Sequence, residues 1–257
     1  MRIGWFSTGR GEGSRGLLTA TLAAIDDGRL DAEIEFVFCN RDRGQHEGTD
    51  RFLDIVEARG IPLVTLSSQG FRRAHGGQPW AQLREEFDRA AMEGLRGFSP
   101  DVSVGAGYML LAPLLCRHYA MINLHPALPD GPAGTWQQVI WELIAERARE
   151  SGVMVHVMIP EMDSGPAISY CRYPLTGGAL DAGWAALGDR SSAEVKAGEG
   201  EDHPLFKAIR SAGLARERPF LVETLRAIAA RRVDVAGAGR SAPLDLTAEV
   251  DAILGAP

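Results

Sequence analysis

Short apolar, β-rich segments alternate with helix-like segments along most of the chain, and this alternation constrains the fold more than any other feature. Because such alternation is typical of βαβ units, it predicts a mainly parallel sheet with right-handed crossovers and helices on both faces. The chain is therefore expected to adopt a Rossmann-like α/β fold with a C-terminal helical extension. The strand-like runs are 2–7, 34–39, 62–66, 102–105, 121–124, 153–159 and 167–173.

The C-terminal part of the chain has a different character. Residues 176–215 are rich in Gly, Ala, Asp and Glu and show little periodicity before Leu205, so they are predicted to be an irregular insertion with one short helix. Residues 1–175 are then the α/β domain. Residues 216–257 are expected to complete it with a helix that starts at Pro219, followed by a tail.

Composition excludes several classes of function. The 257 residues carry a formal net charge of -7, which argues against non-specific nucleic-acid binding. The three cysteines are widely spaced and indicate neither disulfides nor a zinc site. No apolar run approaches the ~20 residues of a membrane span. We therefore predict a cytoplasmic protein that acts on small molecules without a metal, a membrane or nucleic acid, and a homodimer is left open.

Two polar residues stand at the end of the fifth strand-like run. Asn123 and His125 lie two positions apart, so on an extended strand their side chains point to the same side. An amide and an imidazole can together hold the oxyanion of an acyl carbon under attack, and the imidazole can also move a proton. Asp163 follows a later strand. The pattern predicts that these three residues form a catalytic site at one edge of the sheet.

A glycine-rich segment follows the first strand. The residues Gly11-Glu-Gly13-Ser14-Arg15-Gly16 match G-x-G-x-x-G between a strand and a helix, which is the context of a dinucleotide-binding fingerprint. The second strand ends in Cys39-Asn-Arg, without the acidic residue that NAD binding requires. The broader prediction is an anion site, most simply for a phosphate, on the backbone amides and Arg15.

Taken together, these motifs resemble the folate-dependent formyltransferase family, which includes the purine-biosynthetic enzymes that act on glycinamide ribonucleotide. Asn123-Leu-His125-Pro126 matches its N-x-H-P motif, and Met162-Asp163-Ser-Gly165 matches its D-x-G loop. Ser7 to Ser14 resembles its phosphate loop with extra residues, and Ala106 to Met109 resembles its approach to the folate pocket. The resemblance covers most of residues 1–175 and resumes at about residue 216.

The resemblance implies a Rossmann-like formyltransferase fold and a direct transfer. The donor would be 10-formyltetrahydrofolate, and glycinamide ribonucleotide is the expected acceptor amine. Asn123 and a protonated His125 would stabilise the oxyanion, and Asp163 would keep His125 charged. The phosphate of the acceptor would lie on Gly11, Gly13, Ser14 and Arg15, and Glu217 would contact the acceptor. The folate pocket would be formed by Tyr108, Met109, Leu110, Leu111, Ala112, Pro160, Glu161 and Met162.

The chain departs from the family pattern in places that concern the acceptor more than the donor. Residues 127–136 end in Trp136 where the family usually has a histidine-containing turn, and Arg15 stands where the family usually has Asn. The insertion 176–215 is not typical of the family. The remaining histidines, including His156 inside a strand, are expected to be structural residues.

Four alternatives remain open from the sequence. The first is transfer to an amino-sugar nucleotide or another specialised amine, and the second is hydrolysis of formyltetrahydrofolate, which usually involves an additional N-terminal regulatory domain. The third is an NAD-binding oxidoreductase, which would leave Asn123, His125 and Asp163 without a shared role. The fourth is a binding protein that kept the fold without activity.

Overall fold

The computed structural model describes residues 1–161 and 163–255, so Met162 and the last two residues lie outside the described part. Its centre is one eight-stranded sheet in the order β3-β2-β1-β4-β5-β6-β7-β8. The strands are β1 (Arg2–Ser7), β2 (Glu33–Cys39), β3 (Leu63–Thr65), β4 (Val102–Gly105), β5 (Met121–His125), β6 (Glu150–Val157), β7 (Ala167–Pro174) and β8 (Leu244–Asp245). The predicted α/β fold with a mainly parallel sheet is confirmed, because β1 to β5 all pair in parallel.

Ten α-helices and one 3₁₀ turn, at Gly200–Asp202, surround the sheet in the described residues. None of these helices is long and apolar enough to cross a membrane. The helices are α1 (Glu12–Asp26), α2 (Glu47–Ala58), α3 (Ser68–Ala74), α4 (Trp80–Gly94), α5 (Leu115–His118), α6 (Trp136–Ala145), α7 (Gly178–Leu187), α8 (Ser192–Gly198), α9 (Pro204–Ala229) and α10 (Thr247–Leu254).

The alternation of side chains along the strands builds a core on each face of the sheet. Trp5 belongs to the cluster that α1, α2, α9 and α10 cover, whereas the next residue, Phe6, belongs to an aromatic cluster on the opposite face. That second cluster also contains Phe36, Phe38 and, from α4, Phe87. Helices therefore cover both faces, as the sequence predicts.

The chain turns in opposite directions from β1. Strands β2 and β3 extend the sheet on one side of β1, while β4 and β5 extend it on the other. In open α/β sheets, ligands bind outside the carboxyl ends of the strands at such a reversal. The segments that follow β1 and β4 meet there, since the Thr8 amide donates to the Gly107 carbonyl at 3.2 Å. This edge carries the candidate site.

Strand β6 is not parallel to β5, although the expected position of Asp163 at the same sheet edge as Asn123 and His125 assumed a parallel strand before it. It runs antiparallel to β5, with His156 opposite Asn123, so its carboxyl end points to the other edge of the sheet. Asp163 nevertheless lies beside His156, because the connection between β6 and β7 folds back over the strands. The expected adjacency of β6 and β7 is confirmed, and these strands pair antiparallel.

The prediction of an irregular insertion at 176–215 is wrong. This segment contains α7, α8 and the first half of α9, and the helices pack on α6 in a third apolar cluster that includes Trp141, Leu205 and Phe206. The predicted helix start at Pro219 is also wrong, because Pro219 lies inside the 26-residue α9. Short helices with few periodic apolar residues depend on tertiary packing of this kind for stability.

Candidate functional site

Strand β5 presents Asn123 and His125 at its carboxyl end. The imidazole of His125 is only 3% exposed, and its Nε2 lies 2.9 Å from the carbonyl oxygen of Pro132, in the turn that follows the strand. A carbonyl can only accept, so Nε2 must carry the proton of this hydrogen bond. This contact fixes the ring, and no hydrogen bond to Nδ1 is found among the described residues.

The side-chain amide of Asn123 is held by a residue on the neighbouring strand. Its Nδ2 lies 3.4 Å from Nε2 of His156, and Nδ1 of His156 lies 3.0 Å from the carbonyl oxygen of Val157. The carbonyl requires a proton on Nδ1, so Nε2 accepts from the amide. Because an amide nitrogen has two protons, Asn123 keeps one donor for a substrate oxygen.

Burial lowers the pKa of the His156 imidazole below its ordinary value, and this favours the neutral ring that accepts from Asn123. The hydrogen bond to Val157 and the carboxylate of Asp163 act in the opposite direction, while His125 adds a smaller lowering effect. The rings of His125 and His156 are 6.4 Å apart between centroids. The two imidazoles and the amide therefore form one contiguous polar cluster.

Asp163 joins this group through His156. Its Oδ1 lies 3.7 Å from Nε2 of His156, and its backbone has a φ of 50°, in the left-handed region. Within residues 1–161 and 163–255, no hydrogen bond or ion pair links Asp163 directly to His125. The partner that the sequence proposed for Asp163 was His125, whereas the structure places the carboxylate against the second histidine.

The glycine-rich segment is the start of a helix and not a loop that extends to Gly16. Gly11 is the N-cap of α1 and has no side-chain cap, so the helix begins at Glu12 and includes Gly13 and Ser14 in its first turn. The segment that the sequence analysis placed between a strand and a helix thus forms the first turn of that helix. Amides of a first helical turn have no partners within the helix and can bind an anion.

The arginine of this segment is engaged by the backbone. Nη1 of Arg15 donates to the carbonyl of Gly48 at 3.3 Å, and the carbonyl of Arg10 lies 3.5 Å away. The guanidinium thus connects the start of α1 to α2. Glu12, in the same turn, pairs with Arg218 of α9.

The turn after β4 presents one large apolar side chain to solvent. Met109 is 74% exposed, next to the half-buried Leu110 and Leu111, whereas Ala112 is buried. The ring of Tyr108 points into the aromatic core, 5.8 Å from Phe6 between centroids, so only its backbone can face a ligand. Exposed apolar surface of this kind can mark a ligand-binding site.

This turn lies against the segment that runs from the end of β1 into α1. The Met109 amide donates to the Thr8 hydroxyl at 3.3 Å. Gly107 has a φ of 69°, and a Cβ on it would lie 2.4 Å from Oγ of Ser14. The glycine therefore lets the Ser14 hydroxyl approach the turn after β4, and the predicted phosphate and folate segments are neighbours.

The other predicted folate residues lie in the connection between β6 and β7. Pro160 is half-buried and Glu161 is exposed, while Met162 lies outside the described residues. Near them, the sulfur of Met158 packs over Gly105, where a Cβ would be 3.0 Å away. This connection therefore covers the end of β4 close to Asn123.

Glu217, the predicted acceptor contact, is buried in α9. Its carboxylate pairs with Nη1 of Arg210 at 3.0 Å, and burial raises its pKa. Its neighbour Arg218 reaches α1, where a Cβ on Gly16 would overlap the guanidinium. Glu217 is therefore buried and already paired with a cation on its own helix.

Sequence reasoning missed three parts of this site: His156, Thr8 and the carbonyl of Pro132. A histidine inside an apolar strand gives no functional signal by itself. The antiparallel register places His156 opposite Asn123, and knowledge of this register would have indicated a role for His156. No group of three or more His, Cys, Asp or Glu side chains in the described residues is arranged to hold a metal ion.

The fold and this geometry define a class: an α/β protein whose amide and imidazole pair lies at the end of a central strand, an arrangement suited to acyl transfer. The family model for formyl transferase matches residues 2–176, and the chain belongs to that family. Membership of this family also argues against the oxidoreductase interpretation of the glycine segment, which would leave Asn123, His125 and Asp163 without a shared role.

Individual relatives agree with the family match. The chain is 30% identical over 174 residues to the phosphoribosylglycinamide formyltransferase of Escherichia coli (strain K12), covering 65% of this chain and 71% of that protein. Glycinamide ribonucleotide transformylase 1 from Symbiobacterium toebii has the same fold, with a TM-score of 0.64, 21% identity and coverage of 90% and 89% of the two chains. A formyltetrahydrofolate deformylase from Burkholderia mallei is similar in fold, with a TM-score of 0.60, 16% identity and coverage of 90% and 66%.

Proposed function

We propose that the protein transfers a formyl group from 10-formyltetrahydrofolate to the primary amine of glycinamide ribonucleotide. The observation that carries this proposal is the arrangement of Asn123 and His125 at the end of β5, held by His156 and Pro132, in a chain of the formyl transferase family. The curated relative from Escherichia coli is named for this acceptor and supports it.

The turn after β4 and the connection after β6 suit a folate. Met109 exposes an apolar side chain beside Leu110 and Leu111, and backbone groups of Tyr108 and Ala112 border the same turn. A pterin needs an apolar wall together with backbone donors and acceptors, and these residues provide both. When bound, the folate supplies an activated formyl group next to β5. Pro160 and Glu161 would border it on the other side.

The roles of the polar residues follow from their contacts. The free N–H of Asn123 and the Nδ1–H of a doubly protonated His125 donate to the oxyanion that develops on the formyl group when the amine attacks. His156 holds the Asn123 amide in the donating orientation. Asp163 supplies a negative charge beside His156, and it accepts through water a proton from the ammonium nitrogen that forms when the amine attacks.

The acceptor binds between the start of α1 and the end of β5. Its phosphate lies on the amides of Gly11, Gly13 and Ser14, where the positive end of the 15-residue α1 favours an anion. Arg15 adds positive charge behind these amides. This leaves the amine of the acceptor directed toward Asn123 and His125.

The proposal is tested by incubating the protein with 10-formyltetrahydrofolate and a panel of amines, with detection of formylated products by mass spectrometry. Glycinamide ribonucleotide is the expected substrate, and glycinamide riboside without the phosphate is the matched control. Equal rates with both would contradict phosphate recognition by α1. A product only with an amino-sugar nucleotide would replace the acceptor, and formate without a formylated amine would indicate hydrolysis.

A further inference from the structure

Helix α9 carries two residues, seven positions apart, that connect its buried face to α6. Nη1 of Arg210 lies 3.0 Å from the Glu217 carboxylate, and the guanidinium carbon lies 4.4 Å from the ring centre of Trp136. Glu217 is 7% exposed, and Arg210 is its only ionic partner in the described residues. One guanidinium therefore serves a buried carboxylate and an indole ring together.

Trp136 occupies a special place in the chain. It is the first residue of α6 and directly follows the turn at 126–135. Thr135 caps the helix and forms a capping box with Gln138, so the start of α6 is rigidly attached to the end of this turn. Phe206, one helical turn before Arg210, packs on the same indole with ring centres 5.9 Å apart.

The other attachment of the turn is His125 itself, through the 2.9 Å hydrogen bond from Nε2 to the Pro132 carbonyl. In order, the contacts run from Glu217 to Arg210, from Arg210 to Trp136, and from the turn before Trp136 to His125. A displacement of Trp136 would move the carbonyl that orients the imidazole.

We propose that Glu217, Arg210 and Trp136 are positioning residues, which fix the turn at 126–135 so that Pro132 holds His125 in one tautomer and orientation. The kinetic consequences of this positioning role rest on the proposed function. In this role Glu217 acts through its ion pair with Arg210.

The chemistry of the three side chains supports this role. A carboxylate in a buried position needs a partner, and its loss leaves an uncompensated charge, so Arg210 is firmly held. A planar guanidinium can lie over an indole while it donates in its own plane to a carboxylate, which an ammonium group cannot do. The arrangement thus requires Arg at 210 and an aromatic residue at 136.

The test compares Trp136→Leu with Trp136→Phe, and Arg210→Lys with Arg226→Lys. Arg226→Lys is the matched control. Arg226 also pairs with a buried carboxylate on the same helix, that of Glu223, but it donates to the carbonyl of Arg29 in the loop after α1 and not to the region of α6. Trp136→Leu and Arg210→Lys should lower kcat about ten- to a hundredfold, since misplacing a catalytic group by ~1 Å costs about 10²-fold. KM for the amine should stay within about twofold, and Trp136→Phe should restore kcat.

A second readout does not depend on activity. Imidazole ¹⁵N spectra of the protein, with the His125 signals assigned by their absence in His125→Ala, report which ring nitrogen carries the proton. The wild type, Trp136→Phe and Arg226→Lys should show His125 protonated at Nε2, whereas Trp136→Leu and Arg210→Lys should show a mixture of tautomers. If Trp136→Leu does not fold, Arg210→Lys decides the matter.

The outcomes separate this inference from the proposed function. An inactive wild type with a single His125 tautomer that Arg210→Lys disturbs would refute formyl transfer and support positioning. An active wild type in which Arg210→Lys changes neither kcat nor the His125 spectrum would overturn positioning. A rise in KM for the amine at unchanged kcat would overturn it as well, because it would show direct contact with the acceptor.

Discussion

The side-chain amide of Asn123 donates to the imidazole of His156 across an antiparallel pair of strands, with 3.4 Å between Nδ2 and Nε2. The same ring is fixed by its second nitrogen at the Val157 carbonyl. Because both nitrogens of His156 are engaged, the orientation of Asn123 is set before any substrate binds. Preorganised donors of this kind stabilise developing charge without reorganisation.

We expect His156→Phe to lower kcat about five- to tenfold, because phenylalanine fills similar space but cannot accept from Asn123, and one neutral hydrogen bond contributes about 1 kcal/mol. His156→Gln keeps an acceptor oxygen and should retain more activity. Steady-state formyl transfer and thermal unfolding of both variants check this. Equal activity in His156→Phe and wild type would mean that His156 only packs in the strand.

The stability of the protein should depend on pH through His156. Burial lowers the pKa of the folded imidazole below the ordinary value of 6.5, so the unfolded chain binds more protons at mildly acidic pH. The contribution of His156 to stability is therefore complete above 6.5 and is lost as the pH falls toward the lowered pKa. Urea unfolding between about pH 7.5 and 5.0 should show the wild type losing stability relative to His156→Phe, and a difference of opposite slope would contradict this.

His125→Ala should abolish formyl transfer, since loss of one oxyanion donor alone costs about 10²–10³-fold. Asp163→Asn should have a similar effect on transfer, and it should also lower the pKa of His156 further, because the Asp163 carboxylate favours the charged imidazole. Circular dichroism should show both variants folded, and NMR titration of His156 measures the shift. A rate within a few-fold of wild type in either variant would refute its catalytic assignment.

Gly107→Ala tests the contact between the two ligand-binding segments. The new methyl group would lie 2.4 Å from Oγ of Ser14, so the Ser14 hydroxyl must rotate away or the start of α1 must shift. Gly28→Ala is the matched control, because Gly28 has a similar φ of 75° but open space around it. Both variants bear the cost of a left-handed residue, about 1–2 kcal/mol. Only Gly107→Ala should raise KM for both substrates, measured in initial-rate assays.

The sequence predicts the strands well because their apolar residues are buried on both faces. Strand β1 was predicted at 2–7 and is found at Arg2–Ser7. The start of α1 was misplaced because Gly11, Gly13 and Gly16 resemble a loop, whereas Gly16 is required by the close approach of Arg218 from α9. That contact joins residues far apart in the chain, so no local pattern contains it.

Helices α7 and α8 were missed for a related reason. The buried apolar residues of α7 and α8, Leu180, Leu187 and Val195, are too sparse to give helical periodicity, and their packing partners are on α6 and α9. The antiparallel direction of β6, which places His156 beside Asn123, could not be predicted from the sequence either. The identity and spacing of Asn123, His125 and Asp163 predict a candidate site, but the partners of these residues depend on the assembled sheet.

The central claim is that Asn123 and His125 promote transfer of a formyl group to an amine. The most direct test supplies 10-formyltetrahydrofolate with ¹³C in the formyl group, together with glycinamide ribonucleotide, and follows the label by NMR. The wild type should move the label to the amine as a formamide, and an Asn123→Ala, His125→Ala double variant should not. Label that appears in formate, or that reaches the amine equally fast with the double variant, would contradict the account.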